Sequence, residues 1–528
     1  MKTEPYLEID EIQGNILPGF RMPNQHLIGC KIASLVNLSG FLTYILPLIT
    51  TMREALSYKE ERVSLAKQLN IRGIASFQLP VQQDLFWINM GFGNKLLRKL
   101  TTDADNADNS FKVGLAARSQ LLGDSSDPLN EGNKKNWIVG NEQNEADLFF
   151  ITASDNAPNL KDRTSELKAK LSEFDIKIIY EETGGRLEGD KEHFGFKDGI
   201  SQPSIRGYTD EDKTIPLTER NVFKGNDDPT GAEYAAPGKM LIWPGQFVFG
   251  YDKQSPDHFR TPENPSEIEK KPFLKNGSFL IFRSLKQDVE SFYGSTHVMY
   301  EQLNATEGFR HIDYNTFLAK VVGRFKNGQP VVWTEQNRSQ DDFNNFNFNA
   351  NTPEFTLSDG TVIHPVRSDQ QGLKCPAFAH IRKVNPRDLP TDLGKETDSV
   401  TFRIIRRGIP FGKPYNYADK HDPINRAERG LLFLSYQTSI ERQFERLVSK
   451  WINEPSRPTN MGYDILVGQN GEEDENGVKW CRFINEFGQT KELKLEKSFV
   501  TPTGGGYFFC PSINTIKSII QILHNPVV

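Results

Sequence analysis

The chain states one pattern twice. Apolar runs of strand length sit beside amphipathic segments of helical spacing, without the long strand–helix alternation that builds a parallel sheet. In the first half Ala75 to Pro80, Asp84 to Gly91, Ala146 to Ala153 and Ile176 to Tyr180 read as strands, with helices starting at Asn94 (to Leu100) and over Ser165 to Phe174. In the second half Gln246 to Tyr251, Gly277 to Phe282, Gly430 to Tyr436 and Gly504 to Phe509 read as strands, with helices near Gln287 to Leu303 and over Ile440 to Ile452. The pattern predicts an α+β fold, duplicated without any exact sequence repeat. The Gly-rich stretch Gly184 to Gly189 marks the join, giving domains 1–185 and 186–528. A polar, Asn-rich segment, Gln336 to Asn351, has few aliphatic residues to bury and reads as an ordered or mobile insertion.

With 63 cationic and 69 acidic residues the net charge is −6, and the Lys and Arg residues are scattered, so nucleic acid and anionic lipid are not expected as partners. Cys30, Cys375, Cys481 and Cys510 form no CxxC pair, which argues against a zinc ribbon or a disulfide framework and for a reducing compartment. The first twenty residues carry Glu4, Glu8, Asp10 and Glu11 and no apolar core. The apolar stretch Phe41 to Ile49 is too short to span a bilayer. A cytoplasmic protein without a membrane partner is the expectation.

The commonest chemical signatures are absent. Gly91-Phe92-Gly93 lacks the third glycine of a dinucleotide fingerprint, Gly504-Gly505-Gly506 has no following Lys-Ser/Thr, and neither GxSxG nor HExxH occurs. Three other segments are unusual. In His193-Phe194-Gly195-Phe196-Lys197-Asp198-Gly199 one carboxylate sits between glycines and aromatics. In Cys375-Pro376-Ala377-Phe378-Ala379-His380 a lone imidazole follows small and apolar residues, and in Arg403 to Gly412 cations alternate with apolar side chains. Taken singly these read as a turn-capping Asp, a core His and surface Arg residues. Together they are the parts needed to split a peroxide on haem iron: an axial imidazole, a base that moves one proton between two oxygens, and a cation for the departing hydroxide.

On these residues the chain resembles the dye-decolorising peroxidases of the longer-chain subgroup. Gly195-Phe196-Lys197-Asp198-Gly199 matches the family's GxxDG motif, and Ile12-Gln13-Gly14-Asn15-Ile16-Leu17 its N-terminal signature. Gly277-Ser278-Phe279-Leu280 with Gln287-Asp288-Val289, Val322-Gly323-Arg324, His380-Ile381-Arg382-Lys383 with Asn385-Pro386-Arg387, and Arg429-Gly430-Leu431-Leu432-Phe433 follow in order, nearly end to end.

The resemblance implies two ferredoxin-like domains, antiparallel sheets flanked by helices in a dimeric α+β barrel-like arrangement, with haem b mainly in the second. It implies His380 as iron ligand, Asp198 as acid/base, Arg406 as the cation, Leu431 and Phe433 lining the distal face, and Arg324 near a haem propionate. Gly408 departs from relatives that carry a polar residue beside the distal Arg. The activity implied is reduction of hydrogen peroxide with oxidation of bulky aromatic donors, in a monomer or an oligomer. The rival is a non-enzymatic haem protein for storage, transfer or sensing, which would need neither Asp198 nor Arg406. A bulky donor cannot reach enclosed iron, so Trp451 and Tyr415 are candidates to relay electrons, against the ordinary reading of Trp451 as core.

Overall fold

The computed structural model describes residues 5–524 apart from 70–81, 208–240, 258–261, 310–311, 334–342, 353, 357–361, 396, 420 and 470–477. The first half contributes β1 (Asn24–Ile32), α1 (Leu35–Ile45), α2 (Met52–Gln68), β2 (Trp87–Gly93), β3 (Leu148–Ser154), α3 (Ala157–Glu173) and β4 (Ile176–Gly185). The second contributes β5 (Ser278–Gln287), α4 (Val289–Asn304), α5 (His380–Val384), β6 (Ile405–Arg406), β7 (Ile409–Gly412), β8 (Arg429–Gln437), β9 (Val500–Cys510) and α6 (Ile513–His524). Between β8 and β9 lie the π-helical segments Ile440–Glu445 and Leu447–Ile452.

Each half is a βαββαβ unit. The first sheet runs β4-β1-β3-β2; the second runs β9-β5-β8, with β6 and β7 together forming the last position as one interrupted strand. All these pairings are antiparallel. The two sheets also meet at both edges, through Phe508↔Gly93 and Phe509↔Phe92 on one side and Phe411↔Gly184 on the other. The result is one barrel closed at both seams.

The apolar runs are explained by this closure. All seven residues of β3 are buried because both its faces are covered. Phe149 and Ile151 point into the barrel, where Phe149 lies 4.7 Å from Phe508 and 4.8 Å from Phe282, while Leu148 and Phe150 pack under the helices. In β8 the same alternation sends Leu432, Leu434 and Tyr436 inward. Leu431 and Phe433 are left on the outer face, where they line a cavity.

Three expectations are corrected. Gly184 and Gly185 are not linker but the end of β4, and a Cβ on Gly184 would lie 2.4 Å from Ile409 Cγ2 at the barrel seam. Gln246 to Tyr251 is not a strand: Pro244–Gln246 form a tight helical turn and Gly250 takes a positive φ of 90°, so the buried Phe247, Val248 and Phe249 follow a turn instead. The helix at Asn94 stops after one turn, at Leu97. Of the two readings of the Asn-rich insertion, the described part takes the ordered one, with Phe343, Phe346, Phe348, Asn344, Asn345 and Asn347 all buried. The strand expected over Ala75 to Pro80 lies outside the described residues.

Candidate active site

A cavity of about 370 Å³ lies between the outer face of the second sheet and the helices that cover it, and His380, Asp198, Arg406, Arg324, Leu431 and Phe433 all line it. That volume falls in the range of ligand and cofactor pockets.

His380 opens α5, following the buried run Ala377-Phe378-Ala379. Its Nδ1 lies 2.7 Å from Asp464 Oδ2. Asp464 is fully buried and its other oxygen accepts from the Leu466 and Val467 backbone amides at 3.0 and 3.2 Å. Burial pushes the Asp464 carboxyl up, but the charge and hydrogen bond of His380 and the backbone donors outweigh it and hold it below the usual carboxylate range. An ionised Asp464 engages His380 through Nδ1, so Nε2 is the ring nitrogen left to ligate a metal.

Asp198 stands on a loop shaped by two glycines with positive φ, Gly195 at 90° and Gly199 at 73°. The loop is held by Asp198 N donating to Asp190 O at 3.0 Å and by Glu192, whose carboxylate accepts from Phe194 N, Phe196 N and Gln287 Nε2 at 2.8, 2.9 and 2.7 Å. Arg406 Nη1 donates to Asp198 Oδ1 at 2.7 Å, and its Nη2 donates to Ser201 O at 3.2 Å. Gln202 fixes the Arg406 backbone from both sides, donating to its carbonyl and accepting from its amide. Burial raises the Asp198 carboxyl, but the charge and hydrogen bond of Arg406 outweigh it, with smaller help from Gly199 N and His380, so the group sits below its ordinary value. Asp198 is therefore a carboxylate at neutral pH, and its partial exposure, 38%, is shared with a cavity it lines.

Arg324 is held by the protein through three hydrogen bonds: Nη1 donates to Gly328 O and Phe343 O at 2.9 and 2.8 Å, and Nη2 to Asn344 Oδ1 at 3.1 Å. Trp451 is completely buried, its Nε1 donating to Asp392 Oδ1 at 2.8 Å and its ring packed on Phe402. It therefore presents no surface to a bulky donor, which removes it as a surface relay. Tyr415 is partly exposed, its ring 5.1 Å from that of Tyr417, which is 50% exposed. Sequence reasoning missed Asp464, 84 residues from its partner and in no recognisable motif.

The fold and this arrangement define an α+β barrel oxidoreductase site: an imidazole with a free nitrogen on one wall of an apolar cavity and an ionised carboxylate–guanidinium pair on the same cavity. Comparison with known proteins agrees. The model of the DyP dimeric alpha+beta barrel domain matches residues 11–186, and that of the Dyp-type peroxidase C-terminal region matches 336–461. The chain is 27% identical to dye-decolorizing peroxidase msp1 of Mycetinis scorodonius, over 98% of this chain and 88% of that protein. It is 28% identical to a dye-decolorizing peroxidase of Mycena epipterygia over the same shares. Among solved structures, an ancestral D-type dye decolorizing peroxidase superposes with a TM-score of 0.72 at 26% identity, covering 98% of this chain and 100% of that one. A dye-decolorizing peroxidase in complex with 2,6-dimethoxyphenol gives 0.68 at 25%, covering 97% and 99%. The chain belongs to the dye-decolorising peroxidase family.

Proposed function

We propose that this chain is a haem peroxidase that reduces hydrogen peroxide and oxidises bulky aromatic donors such as dyes and phenols. The observation that carries the reading is the 2.7 Å Asp198–Arg406 pair on the cavity that His380 also lines. The residues fit the cofactor: the walls are mainly apolar, Nδ1 of His380 is committed to Asp464, and Nε2 remains for iron. When bound, haem supplies the redox chemistry that cleaves the O–O bond and draws electrons from the donor.

The chain's own residues would do the rest. His380 Nε2 would hold the iron, with Asp464 fixing its tautomer and raising its basicity. Asp198, ionised by Arg406, would take the proton from one peroxide oxygen and return it to the other. Arg406, pinned by Gln202, would offset the negative charge on the departing oxygen. Leu431 and Phe433 would keep the distal face apolar and dry. A haem carrier would have no use for a carboxylate and a guanidinium held on the cavity, since two partly desolvated charges are costly to keep there. For a donor too large for the cavity, Tyr415 with Tyr417 supports a surface relay.

The described residues include no helix long and apolar enough to cross a membrane. Four free, buried cysteines support a reducing compartment such as the cytoplasm. The function is tested by turnover of an anthraquinone dye with peroxide by the wild type and by Asp198→Asn, which keeps the shape and removes the base. A loss of about 10²–10⁴-fold in the peroxide step is expected. Wild-type turnover in Asp198→Asn would refute the role of the carboxylate.

A further inference from the structure

Five arginines line the cavity: Arg283, Arg324, Arg387, Arg403 and Arg406. Four have protein partners. Arg406 is paired with Asp198 and Arg283 with Asp124, each at 2.7 Å. Arg324 donates to the carbonyls and amide already named, and Arg387 donates to Asn344 O and Phe346 O and lies 3.6 Å above the Phe346 ring. Arg403 is different. Among the described residues no carboxylate pairs with its guanidinium and no hydrogen bond of its side chain is formed; only its backbone carbonyl is used, by Gln443 Nε2. Burial alone acts on it, pushing its pKa down to about 10, still far above neutrality. Its flanking residues Phe402 and Ile404, which also line the cavity, are apolar.

A guanidinium cannot shed its proton at neutral pH, and one set among apolar groups without an anion is unfavourable. The cavity as a whole shows the same imbalance, with five arginines and Lys197 against four carboxylates, Asp124, Glu192, Asp198 and Asp388. Of the four, Asp388 is occupied by the backbone amides of Phe348, Asn349 and Ala350 and Asp124 by Arg283, so neither is available to Arg403. The missing partner is an anion that enters the cavity, and haem carries two carboxylates.

We infer that Arg403 binds a haem propionate, and that Arg324, the cation which the family resemblance assigned to that group, instead fastens the loop carrying Gly328, Phe343 and Asn344. The inference rests on the haem reading above and adds to it which residue recognises the carboxylate. A charge-assisted hydrogen bond to a planar fork is the strong form of this contact, and Lys in its place keeps the charge but not the fork.

The test measures cofactor retention, independent of turnover. Full-length wild type, Arg403→Gln and Arg403→Lys are loaded with haem or with haem dimethyl ester, in which both carboxylates are blocked, and loss to a haem-free globin in excess is followed by absorbance. Wild type is expected to hold haem about 10- to 100-fold longer than the ester, the size of one charged hydrogen bond. Arg403→Gln is expected to lose most of that preference and Arg403→Lys to keep part of it, which also shows that the site still folds. An undiminished preference in Arg403→Gln would overturn the inference. If the same variant instead raised KM for a sulfonated dye and not for an uncharged phenol, the anion would be the donor's, which also overturns it. Failure of the wild type to bind either form would overturn the haem reading itself.

Discussion

Replacing Arg406 with leucine keeps the apolar stem of the side chain and removes the guanidinium 2.7 Å from Asp198. Two effects follow, and they separate on a pH axis. Arg406 supplies the charge and hydrogen bond that overcome burial at Asp198. Without them burial prevails, and the carboxyl rises above its ordinary value. The wild-type base, with a depressed pKa, is present above that value and lost only as pH falls through it. In Arg406→Leu the proton is taken up at higher pH, so the acidic fall-off of peroxide cleavage moves upward. Where Asp198 is ionised in both proteins, the variant still lacks the cation opposite the departing oxygen. Removal of one such group costs about 10²–10³ in rate, or about 2.7–4 kcal/mol. Stopped-flow measurement of the second-order rate constant for peroxide, across the acidic range, reads both quantities. A uniform drop with an unmoved acidic limb would show that Arg406 does not set the ionisation of Asp198. An unmoved rate at neutral pH would show that it does not stabilise the leaving oxygen.

Four further outcomes are expected. Asp464→Asn retains the shape but not the charge beside His380 Nδ1, and should weaken haem retention about 10- to 100-fold, with a shift of the iron–imidazole vibration; retention and vibration both at wild-type values would contradict the pairing. Glu192 is pushed up by burial from 4.5 to about 7, so the folded protein keeps a proton that the unfolded chain has lost. Its contribution to stability therefore falls as pH rises from about 4.5 to about 7, and Glu192→Gln should flatten that part of a melting-temperature profile, whereas identical profiles would refute it. Trp451→Phe removes the indole donor to Asp392 Oδ1, while Arg446 stays on Oδ2 at 2.9 Å, and should cost about 1–3 kcal/mol in chemical denaturation while affecting large dyes and small phenols alike. Tyr415→Phe should reduce turnover of the large dye selectively; equal turnover of both donors would leave Tyr415 as packing.

The continuous apolar runs of β3 and β8 were legible as strands because burial on both faces writes itself into composition, and the α+β class followed. Closure of the barrel was not legible in the apolar pattern and entered only through the family resemblance. It depends on a few backbone pairings, such as Phe411↔Gly184, and a glycine at a seam looks in sequence like a glycine in a linker. Gln246 to Tyr251 misled for a related reason: its aromatics are buried, but Pro244 and Gly250 turn the chain before extended backbone can form. At the site, Asp198, His380 and Arg406 stood out through the motifs around them. Asp464 and Arg403 did not, because one is defined by a partner 84 residues away and the other by a guanidinium with no carboxylate or hydrogen-bond partner among the described residues. Both are properties of tertiary placement.

The central claim is that His380 holds catalytic haem in this cavity. The most direct measurement is the visible absorption spectrum of the purified full-length protein and of His380→Ala, each before and after addition of hydrogen peroxide. The wild type should show an intense Soret band that changes on addition of peroxide and recovers when an aromatic donor is supplied, while His380→Ala should show a strongly weakened or shifted band. A wild-type band indifferent to peroxide, or a His380→Ala spectrum and haem content equal to those of the wild type, would contradict the account.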